Sequence, residues 1–442
     1  MTEVELPRLS FFARRPVALC GSRKVWLTIH LWIGLAVGLF LSLIGVTGSA
    51  LVFFHEIDGW LTPALSIADA PPQGRAGWRT LEDITAAAIN AVPGEPTGFF
   101  VYYPNHPRKA FWFFFPLRAM EGAPPDVVNV FVDPHTATVT GARLHYSGRN
   151  PFENSLTGFL FKLHYALLMR DHGMAIVGVL AIIALISTVT GIVLWWPRNG
   201  KWRNAFTLKW PARAARLNYD IHRLVGMFFL PVALAVIVSG VSFNLPEQFN
   251  AIVEAFSPIT KIERLRSAHG TEGPPPLDEA FAAAASRFPD GRTESFSLLG
   301  PDGPYVFNQM FPIGWGLEGR RTIYIARYGG DVLHVKDPLA GDGDGFIQWQ
   351  WPLHSGYVFG WPGRIVVCLF GLSWPLLFAT GVLRWLQKRR AHDMAPTKRW
   401  SRLKSLLKSI AGFHTADRGG AFSSRAMHER RRSGDSESRR SK

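Results

Sequence analysis

Four long apolar segments constrain the fold of this chain more than any other feature of its 442 residues. A membrane span needs about 20 mainly apolar residues, and the sequence predicts spans at 26–54, 174–196, 222–244 and 362–386. The first apolar run is too long for the core of a signal peptide, and no small-residue cleavage site follows it. We therefore predict a membrane protein with four spans, the first of which stays as an anchor.

Lysine and arginine predict the orientation of the spans, because loops on the cytoplasmic side carry an excess of these residues. The N-terminal lead 1–25, the loop 197–221 and the tail 387–442 are all basic. We therefore place both termini on the cytoplasmic side of a bacterial inner membrane, with the connections 55–163 and 245–353 in the periplasm. The net charge of +15 follows from this distribution and does not indicate nucleic-acid binding. The polar, serine-rich tail is expected to be disordered.

A histidine stands at the start of each apolar segment, or just before it. In the first and third segments, the histidine and a later glycine are separated by the same number of residues. In the second and fourth segments, this separation is longer but again the same in both. The spacings pair His30 with His222 and His164 with His354. The pattern indicates one unit, span–module–span, that is used twice as parallel repeats about an axis along the membrane normal.

Each long connection predicts a small α+β module. Residues 80–92 predict a helix, since Thr80 is followed three residues later by Asp83 in a capping-box pattern. Aromatic runs bounded by proline predict strands after it, and the second connection repeats the order from a helix at 277–288. The predicted fold class is therefore an α-helical membrane protein: a four-helix transmembrane bundle from two parallel repeats, with two periplasmic α+β modules.

The four histidines are candidate ligands, because an ionisable side chain inside a membrane costs free energy and usually has a function. Taken singly, such a histidine is more often an interfacial anchor or a satisfied core group. The repeat, however, places His30 and His222 at one inner depth, and His164 and His354 at one outer depth. Two facing imidazoles can bind a haem iron from both sides. We therefore predict two b-type haems, the inner one ligated by His30 and His222 and the outer one by His164 and His354.

Other residues leave alternatives open. His172 is a rival outer ligand, a residue near the electron exit or a surface residue. The glycines along the spans either make room for a macrocycle or allow close helix packing. Four basic residues near the inner pair could contact haem propionates, although the positive-inside bias alone explains them: Arg23, Lys24, Arg216 and Arg223. Four aromatics near His354 either guide an acceptor or form an interfacial belt: Trp349, Trp351, Tyr357 and Trp361.

Some residues are interpreted without a chemical role. Six histidines without repeat partners are read as surface or hairpin residues: His55, His106, His135, His145, His269 and His334. The acidic stretch Asp342–Gly345 lacks the further ligands of an EF-hand and is read as a flexible turn.

Several classes of site are excluded by their missing motifs. The two cysteines, Cys20 and Cys368, form no CxxC or CxxCH pattern, which argues against c-type haem, cysteine-ligated zinc and a disulfide framework. There is no GxGxxG after a strand, no P-loop and no HExxH. No cytoplasmic segment is long enough for a flavin or NAD domain. An electron donor would therefore be separate, either a membrane quinol or a soluble cytoplasmic reductant.

Several stretches around the histidines resemble one known family. These stretches are His30–Gly34 with Thr47 and Gly48, Phe53–Asp58, Leu163–Tyr165, Thr190–Arg198, Asp220–Arg223 and Pro352–Gly356. On these residues the chain resembles the PepSY-associated transmembrane family, also called iron-regulated membrane proteins, over about residues 20–390. The turn Val132–Thr136 resembles the DPxTG-like turn of PepSY domains, although Ala137 replaces its glycine and the second connection lacks the motif.

The resemblance implies a function, because members of that family include haem-containing ferrireductases of the inner membrane. It implies a haem-dependent oxidoreductase that passes electrons from the cytoplasmic side to a periplasmic Fe(III)-siderophore and releases Fe(II) for iron uptake. The siderophore comes from the resemblance alone. The alternatives are a non-enzymatic membrane sensor or regulatory protein that uses PepSY modules for binding, and a transporter subunit.

Overall fold

The computed structural model describes residues 23–394, apart from gaps at 69–73, 120–123, 198–199, 201, 263–264, 266–276, 299, 301–302 and 329, and it describes no side chain after Arg390. The basic lead before Arg23, the tail after Met394 and His269 lie outside the described residues. The chain divides into two units, Met1–Trp385 and Leu386–Lys442. The first unit holds the sheet and the four candidate histidines, and the described part of the second is the end of one helix.

The helices, in chain order, are α1 (Arg23–Leu51), α2 (Phe54–Leu61), α3 (Pro63–Ser66), α4 (Leu81–Asn90), α5 (Leu156–Ala166), α6 (Arg170–Trp195), α7 (Trp202–Ala205), α8 (Ala214–Phe228), α9 (Leu230–Asn244), α10 (Pro246–Glu254), α11 (Leu277–Arg287), α12 (Gly343–Gln348), α13 (Gln350–Ser355) and α14 (Gly360–Met394). The strands are β1 (Phe99–Tyr102), β2 (Phe111–Pro116), β3 (Val127–Val132), β4 (Val139–Tyr146), β5 (Arg292–Leu298), β6 (Tyr305–Gly314), β7 (Leu317–Ile325) and β8 (Val332–Lys336).

Among the described residues, three helical segments are long and apolar enough to cross a membrane: α1, α6 and Tyr357–Arg390, which includes most of α14. Helices α8 and α9 meet the same test only together, and they are bent by 62°. The bend lies at Phe229, and Pro231 in the first turn of α9 lacks an N–H and sterically opposes a continuous helix. The predicted four-helix transmembrane bundle of two parallel repeats is therefore wrong. The predicted span 222–244 is a bent pair of helices. The prediction missed the bend because hydropathy depends on composition and not on whether a helix is continuous.

The strands form one antiparallel sheet in the order β4-β3-β2-β1-β5-β6-β7-β8. The two long connections join where β1 pairs with β5, with Val101 opposite Phe296. Each connection contains a helix followed by strands, as an α+β module requires, and the strands of the two connections join into a single shared sheet. A physical reason is that β1 and β5 would otherwise be edge strands with unpaired backbone N–H and C=O groups.

One face of the sheet is covered by α4 and α11. Alternation along β2 directs Phe111, Phe113 and Phe115 towards these helices, and each of the three is fully buried. Helix α4 begins as predicted, because the Thr80 hydroxyl accepts from the Asp83 N–H at 3.1 Å. This face is the main hydrophobic core of the described chain.

The opposite face of the sheet is aromatic in its first half. Trp112 and Phe114 of β2 point this way, and Phe54 of α2 stacks on Trp112 with ring centroids 4.9 Å apart. His145 of β4 packs edge-on against Phe114 at 4.9 Å. This face therefore meets the ends of the membrane helices through α2, and it positions aromatic rings over the candidate site.

The stretch Asp342–Gly345, predicted as a flexible turn, begins helix α12 instead. The Asp342 carboxylate accepts from the Gly345 N–H at 2.7 Å and so caps the helix. Asp344 is buried and pairs with Lys336 at 3.0 Å and with His334 at 2.9 Å. These carboxylates are used in capping and ion pairing.

Candidate functional site

The four candidate histidines lie as two facing pairs. The ring centroids of His30 and His222 are 6.2 Å apart with planes at 88°, and those of His164 and His354 are also 6.2 Å apart with planes at 70°. His164 and His354 line a cavity that reaches the sheet. We call them the sheet-proximal pair, and His30 with His222 the sheet-distal pair. The structure thus brings together the residues that spacing paired, while their role as ligands stays a prediction.

The two pairs lie far apart along the helices. His164 contacts Thr47 near the end of α1, whereas His30 lies near its beginning. Thr47 lies 17 residues after His30 on α1, which corresponds to about 25 Å at a rise of about 1.5 Å per residue. The pairs therefore lie towards opposite ends of the apolar segment of α1.

Each histidine is held by a hydroxyl group from another helix. The Nδ1 atoms lie close to hydroxyl oxygens as follows: His30 to Thr190 at 3.0 Å, His164 to Thr47 at 3.3 Å, His222 to Thr380 at 2.9 Å and His354 to Ser239 at 2.9 Å. Each Nδ1 also bonds to the main-chain carbonyl three residues before that hydroxyl: Ser187, Ile44, Leu377 and Val236 respectively. The same local structure is therefore used four times.

These contacts select one tautomer of each imidazole. The four hydroxyls donate their own hydrogen to carbonyls within their helices, as Thr380 does to Leu376 at 2.7 Å and Ser239 to Ala235 at 2.7 Å. Since a hydroxyl has one hydrogen and a carbonyl has none, Nδ1 must carry the proton and donate it. The Nε2 atom then keeps its lone pair, and no hydrogen bond to any of these Nε2 atoms is found in the described part of the chain. Each ring therefore presents a metal-binding nitrogen.

A glycine follows each of these hydroxyl residues in the sequence, and it leaves room for the ring. A Cβ built on Gly48 would lie 2.7 Å from Cε1 of His164, which is too close for any side chain. At Gly191, Gly381 and Gly240 the corresponding distances to the seated histidine are 3.4, 3.7 and 3.8 Å. We call each Ser/Thr-Gly dipeptide with its preceding carbonyl a histidine seat.

Sequence reasoning found the histidines but not their seats. The spacing linked His30 with Gly48 along one segment, whereas in the structure Gly48 seats His164 and Gly191 seats His30. From the sequence alone, these glycines fit either room for a macrocycle or close helix packing. The recurrence of a hydroxyl residue before glycine in each of four apolar segments was the signal that could have revealed the seats.

The sheet-proximal pair opens onto a cavity of about 1060 Å³, which we call the main cavity. Its walls include apolar residues of the membrane helices, such as Leu41, Ala184 and Phe370. Its roof is formed by aromatic residues of the sheet face, among them Phe100 and Phe114. The volume lies just above the range of about 300–1,000 Å³ that is typical of ligand cavities. This cavity can therefore hold a large, mainly apolar group beside the two imidazoles.

The sheet-distal pair has charged neighbours. Asp220 is fully buried two residues before His222, and it pairs with Arg216 at 2.9 Å and Arg223 at 3.1 Å. Arg23 donates to the main-chain carbonyl of Leu194. The arginines considered for propionates thus have partners within the protein, and a propionate role for them stays a prediction.

Two histidines that were read as surface residues lie inside the protein instead. His145 is 1% exposed, its Nδ1 lies 2.8 Å from the Ser155 hydroxyl, and burial lowers its pKa to about 3. His55 lines the main cavity, and burial lowers its pKa to about 4. Both imidazoles are therefore neutral near pH 7. Their burial depends on how strands and helices pack, and no local sequence pattern indicates that packing. His172, in contrast, is exposed on α6, as the surface interpretation expected.

Comparison with known proteins gives one match. The family model described as PepSY-associated TM region matches residues 27–388. No curated protein matches the chain significantly. The matched region contains all four histidines and all four seats.

Proposed function

The chain belongs to the PepSY-associated TM family, and from that premise we propose that it is a dihaem oxidoreductase of the bacterial inner membrane. It passes electrons from the cytoplasmic side to a periplasmic ferric siderophore and releases Fe(II) for iron uptake. The observation that carries the proposal is the fourfold histidine seat, which gives two facing pairs of imidazoles with free Nε2 atoms.

The distance within each pair fits a single metal atom between the rings. An imidazole nitrogen binds a transition metal at about 2 Å, and its ring centroid lies about 1 Å further away, so two rings on opposite sides of one metal have centroids about 6 Å apart. Both pairs have a centroid separation of 6.2 Å. Two neutral imidazoles are also a donor set that would hold the iron of a b-type haem. The residues present therefore fit haem at both pairs.

The residues around the sheet-proximal pair support the same conclusion. A haem is a broad, mainly apolar group, and the main cavity of about 1060 Å³ is lined largely by apolar and aromatic side chains. Gly48 and Gly240 both line it beside the histidines they seat. The cavity thus provides space next to the free nitrogens, and its apolar walls would keep water from a haem bound there.

Haem, when bound, supplies one-electron chemistry between Fe(III) and Fe(II). The protein's part is to hold and orient the ligands. Each seat fixes the ring through Nδ1, and a hydrogen bond from Nδ1–H raises the basicity of Nε2. The packed side chains of Leu41, Leu180 and Ile237 fill the region between the helices and exclude water there. The separation of about 25 Å between pairs approaches the hydrocarbon thickness of about 30 Å that an electron path must cross.

The direction of transfer rests on the basic segments. If loops rich in lysine and arginine are cytoplasmic, the sheet and the sheet-proximal pair face the periplasm. The acceptor would then be reduced on the sheet side, and a quinol or a soluble cytoplasmic reductant would be the donor at the other end. Siderophores bind Fe(III) through hard oxygen atoms, which hold Fe(II) less well, so reduction releases the iron.

This function is tested by reoxidation of the reduced protein. The full-length protein is reduced with dithionite, freed of excess reductant under argon, and mixed with ferric hydroxamate, catecholate and citrate chelates. We expect at least one chelate to return the haem absorption spectrum to its oxidised form, with one Fe(II) trapped by a ferrous chelator per electron lost. The gallium forms of the same chelates, which accept no electron, are the control. Reoxidation by none of the ferric chelates would contradict the proposed acceptor.

A further inference from the structure

The β-hairpin made by β6 and β7 ends in an apolar turn at residues 312–317, which we call the hairpin tip. Its sequence, Pro-Ile-Gly-Trp-Gly-Leu, contains no charged residue. Trp315 at its centre is fully exposed, although tryptophan is highly buried on average in folded proteins. An indole in this position suits a surface that another molecule or a membrane covers.

The backbone of the hairpin tip holds this indole outward in an unfavourable conformation. Gly314, Trp315 and Gly316 all lie in the left-handed region, with φ of 108°, 54° and 74°. Glycine adopts such angles readily, whereas a bulky side chain rarely does. In the described part of the chain, the Trp315 side chain packs on no other ring and bonds to no polar group. Strain that no internal contact offsets is typical of functional positions.

The hairpin lies beside the end of α14 at which this helix enters the membrane. Strand β7 packs against the short turn Tyr357–Phe359, which leads directly into α14. Glu318 of β7 lines one small cavity together with Gly360 and Trp361 of α14. Trp315 precedes Glu318 by only three residues, which corresponds to about 10 Å of extended chain. The hairpin tip therefore lies near the level at which α14 begins.

Exposed aromatic rings mark the same level on the membrane helix. Phe359 and Trp361 are both exposed at the start of this apolar segment. Tryptophan favours the headgroup region of a bilayer, because its ring is apolar while its N–H can bond to polar groups. That region is about 5–7 Å thick on each side of the hydrocarbon core. An uncharged tip beside these rings is therefore placed to meet lipid.

We propose that the hairpin tip is a membrane anchor, with the Trp315 indole among the lipid headgroups of the leaflet on the sheet side. Its binding partner is thus a lipid surface. The anchor adds a contact between sheet and membrane that does not run through the spans, and it holds the half of the sheet made by β5 to β8 over the helices. Contact of the hairpin with lipid depends neither on haem nor on an electron acceptor.

The test measures the depth of a spin label beside Trp315 in the full-length protein, reconstituted in phospholipid nanodiscs. Cys20 and Cys368 are replaced by alanine, and a nitroxide is attached at Leu317→Cys, which leaves Trp315 in place. Electron paramagnetic resonance then compares the accessibility of the nitroxide to oxygen, which concentrates in lipid, with that to a water-soluble nickel complex. We expect access by oxygen to exceed access by nickel at this position.

Two further labelled positions calibrate the measurement. Ala282→Cys is exposed on α11, on the sheet face away from the membrane helices, so nickel should dominate there. Leu369→Cys is exposed within the apolar segment of α14, so oxygen should dominate. Trp315→Ser should shift the label at Leu317→Cys towards nickel, whereas Trp315→Phe, which keeps an apolar ring, should retain most of the preference for oxygen.

Two results would overturn the proposal. Nickel access at Leu317→Cys equal to that at Ala282→Cys would place the hairpin tip in water and favour a protein partner for it. A preference for oxygen that Trp315→Ser leaves unchanged would show that Trp315 is not the anchor. The spectrum of the Ala282→Cys label in the Trp315→Ser protein reports whether this variant folds. If it does not fold, the depth measured with Trp315 present decides alone.

Discussion

The two histidine pairs are held alike but open onto different surroundings. In each, the ring centroids are 6.2 Å apart and every ring rests on a Ser/Thr-Gly seat. The sheet-proximal pair faces a large cavity under an aromatic roof, whereas the sheet-distal pair has the buried Asp220 and its arginines beside it. The comparison teaches that the helices hold the histidines in the same way at both ends. What each site can exchange with its surroundings depends on the elements packed around it.

The largest expected effect comes from replacing the glycine of the tightest histidine seat. A Cβ at Gly48 would lie 2.7 Å from His164, and the ring cannot move away without losing its bonds to Ile44 and Thr47. We therefore expect Gly48→Ala to lose the sheet-proximal haem and to hold about one haem per chain, measured as pyridine haemochrome. Gly240→Ala is the matched control on the same pair, since its Cβ would lie 3.8 Å from His354 and both haems should remain. Two haems per chain in Gly48→Ala would contradict this expectation, because they would show that the added methyl group fits beside His164.

A smaller effect is expected when a seat loses its hydroxyl. Thr380→Val at the sheet-distal pair and Ser239→Ala at the sheet-proximal pair each remove the acceptor of one Nδ1–H. Loss of such a supporting contact typically weakens metal binding about 10–100-fold. We expect haem transfer to apomyoglobin to be about tenfold faster in both variants.

The control for this experiment is Thr188→Val, because the Thr188 hydroxyl bonds to Ala184 within its own helix and not to a seated histidine. Its haem transfer should match that of wild type. If only one of the two seat variants lost haem faster, the two seats would not be equivalent, and the comparison between the pairs would need revision.

The smallest effect concerns pH, and it belongs to the sheet-proximal side. Burial lowers the pKa of His145 to about 3 and that of His55 to about 4, below the value of about 6.5 for an unfolded chain. As pH falls below 6.5, the unfolded state binds more protons than the folded state, so stability is full above pH 6.5 and declines towards pH 3. We expect a lower melting temperature at pH 5 than at pH 7.

His145→Gln tests this assignment, because glutamine can still bond to Ser155 but does not titrate. The difference in melting temperature between pH 7 and pH 5 should be smaller in this variant than in wild type. An unchanged difference would mean that His145 does not contribute to the loss of stability in acid.

The sequence predicts the pairing of the histidines, because the spacing of His30 and His222 along their segments is an internal property of the chain. It does not predict which helix seats which histidine, since Gly48 and His164 meet only through helix packing. The single sheet was missed because β1 and β5 pair across a large sequence separation. The bend at Phe229 was missed because Pro231 hardly changes mean hydropathy. His55 and His145 were misread because burial of a polar ring depends on its tertiary neighbours.

The central claim is that each facing pair of histidines binds one haem, and haem content per chain tests it most directly. We predict two b-type haems per chain in the purified full-length protein, with the low-spin absorption spectrum of bis-imidazole ligation. Each of His30→Ala, His222→Ala, His164→Ala and His354→Ala should then hold about one. A wild-type protein with no haem, or with a spectrum that excludes two imidazole ligands, would contradict the claim.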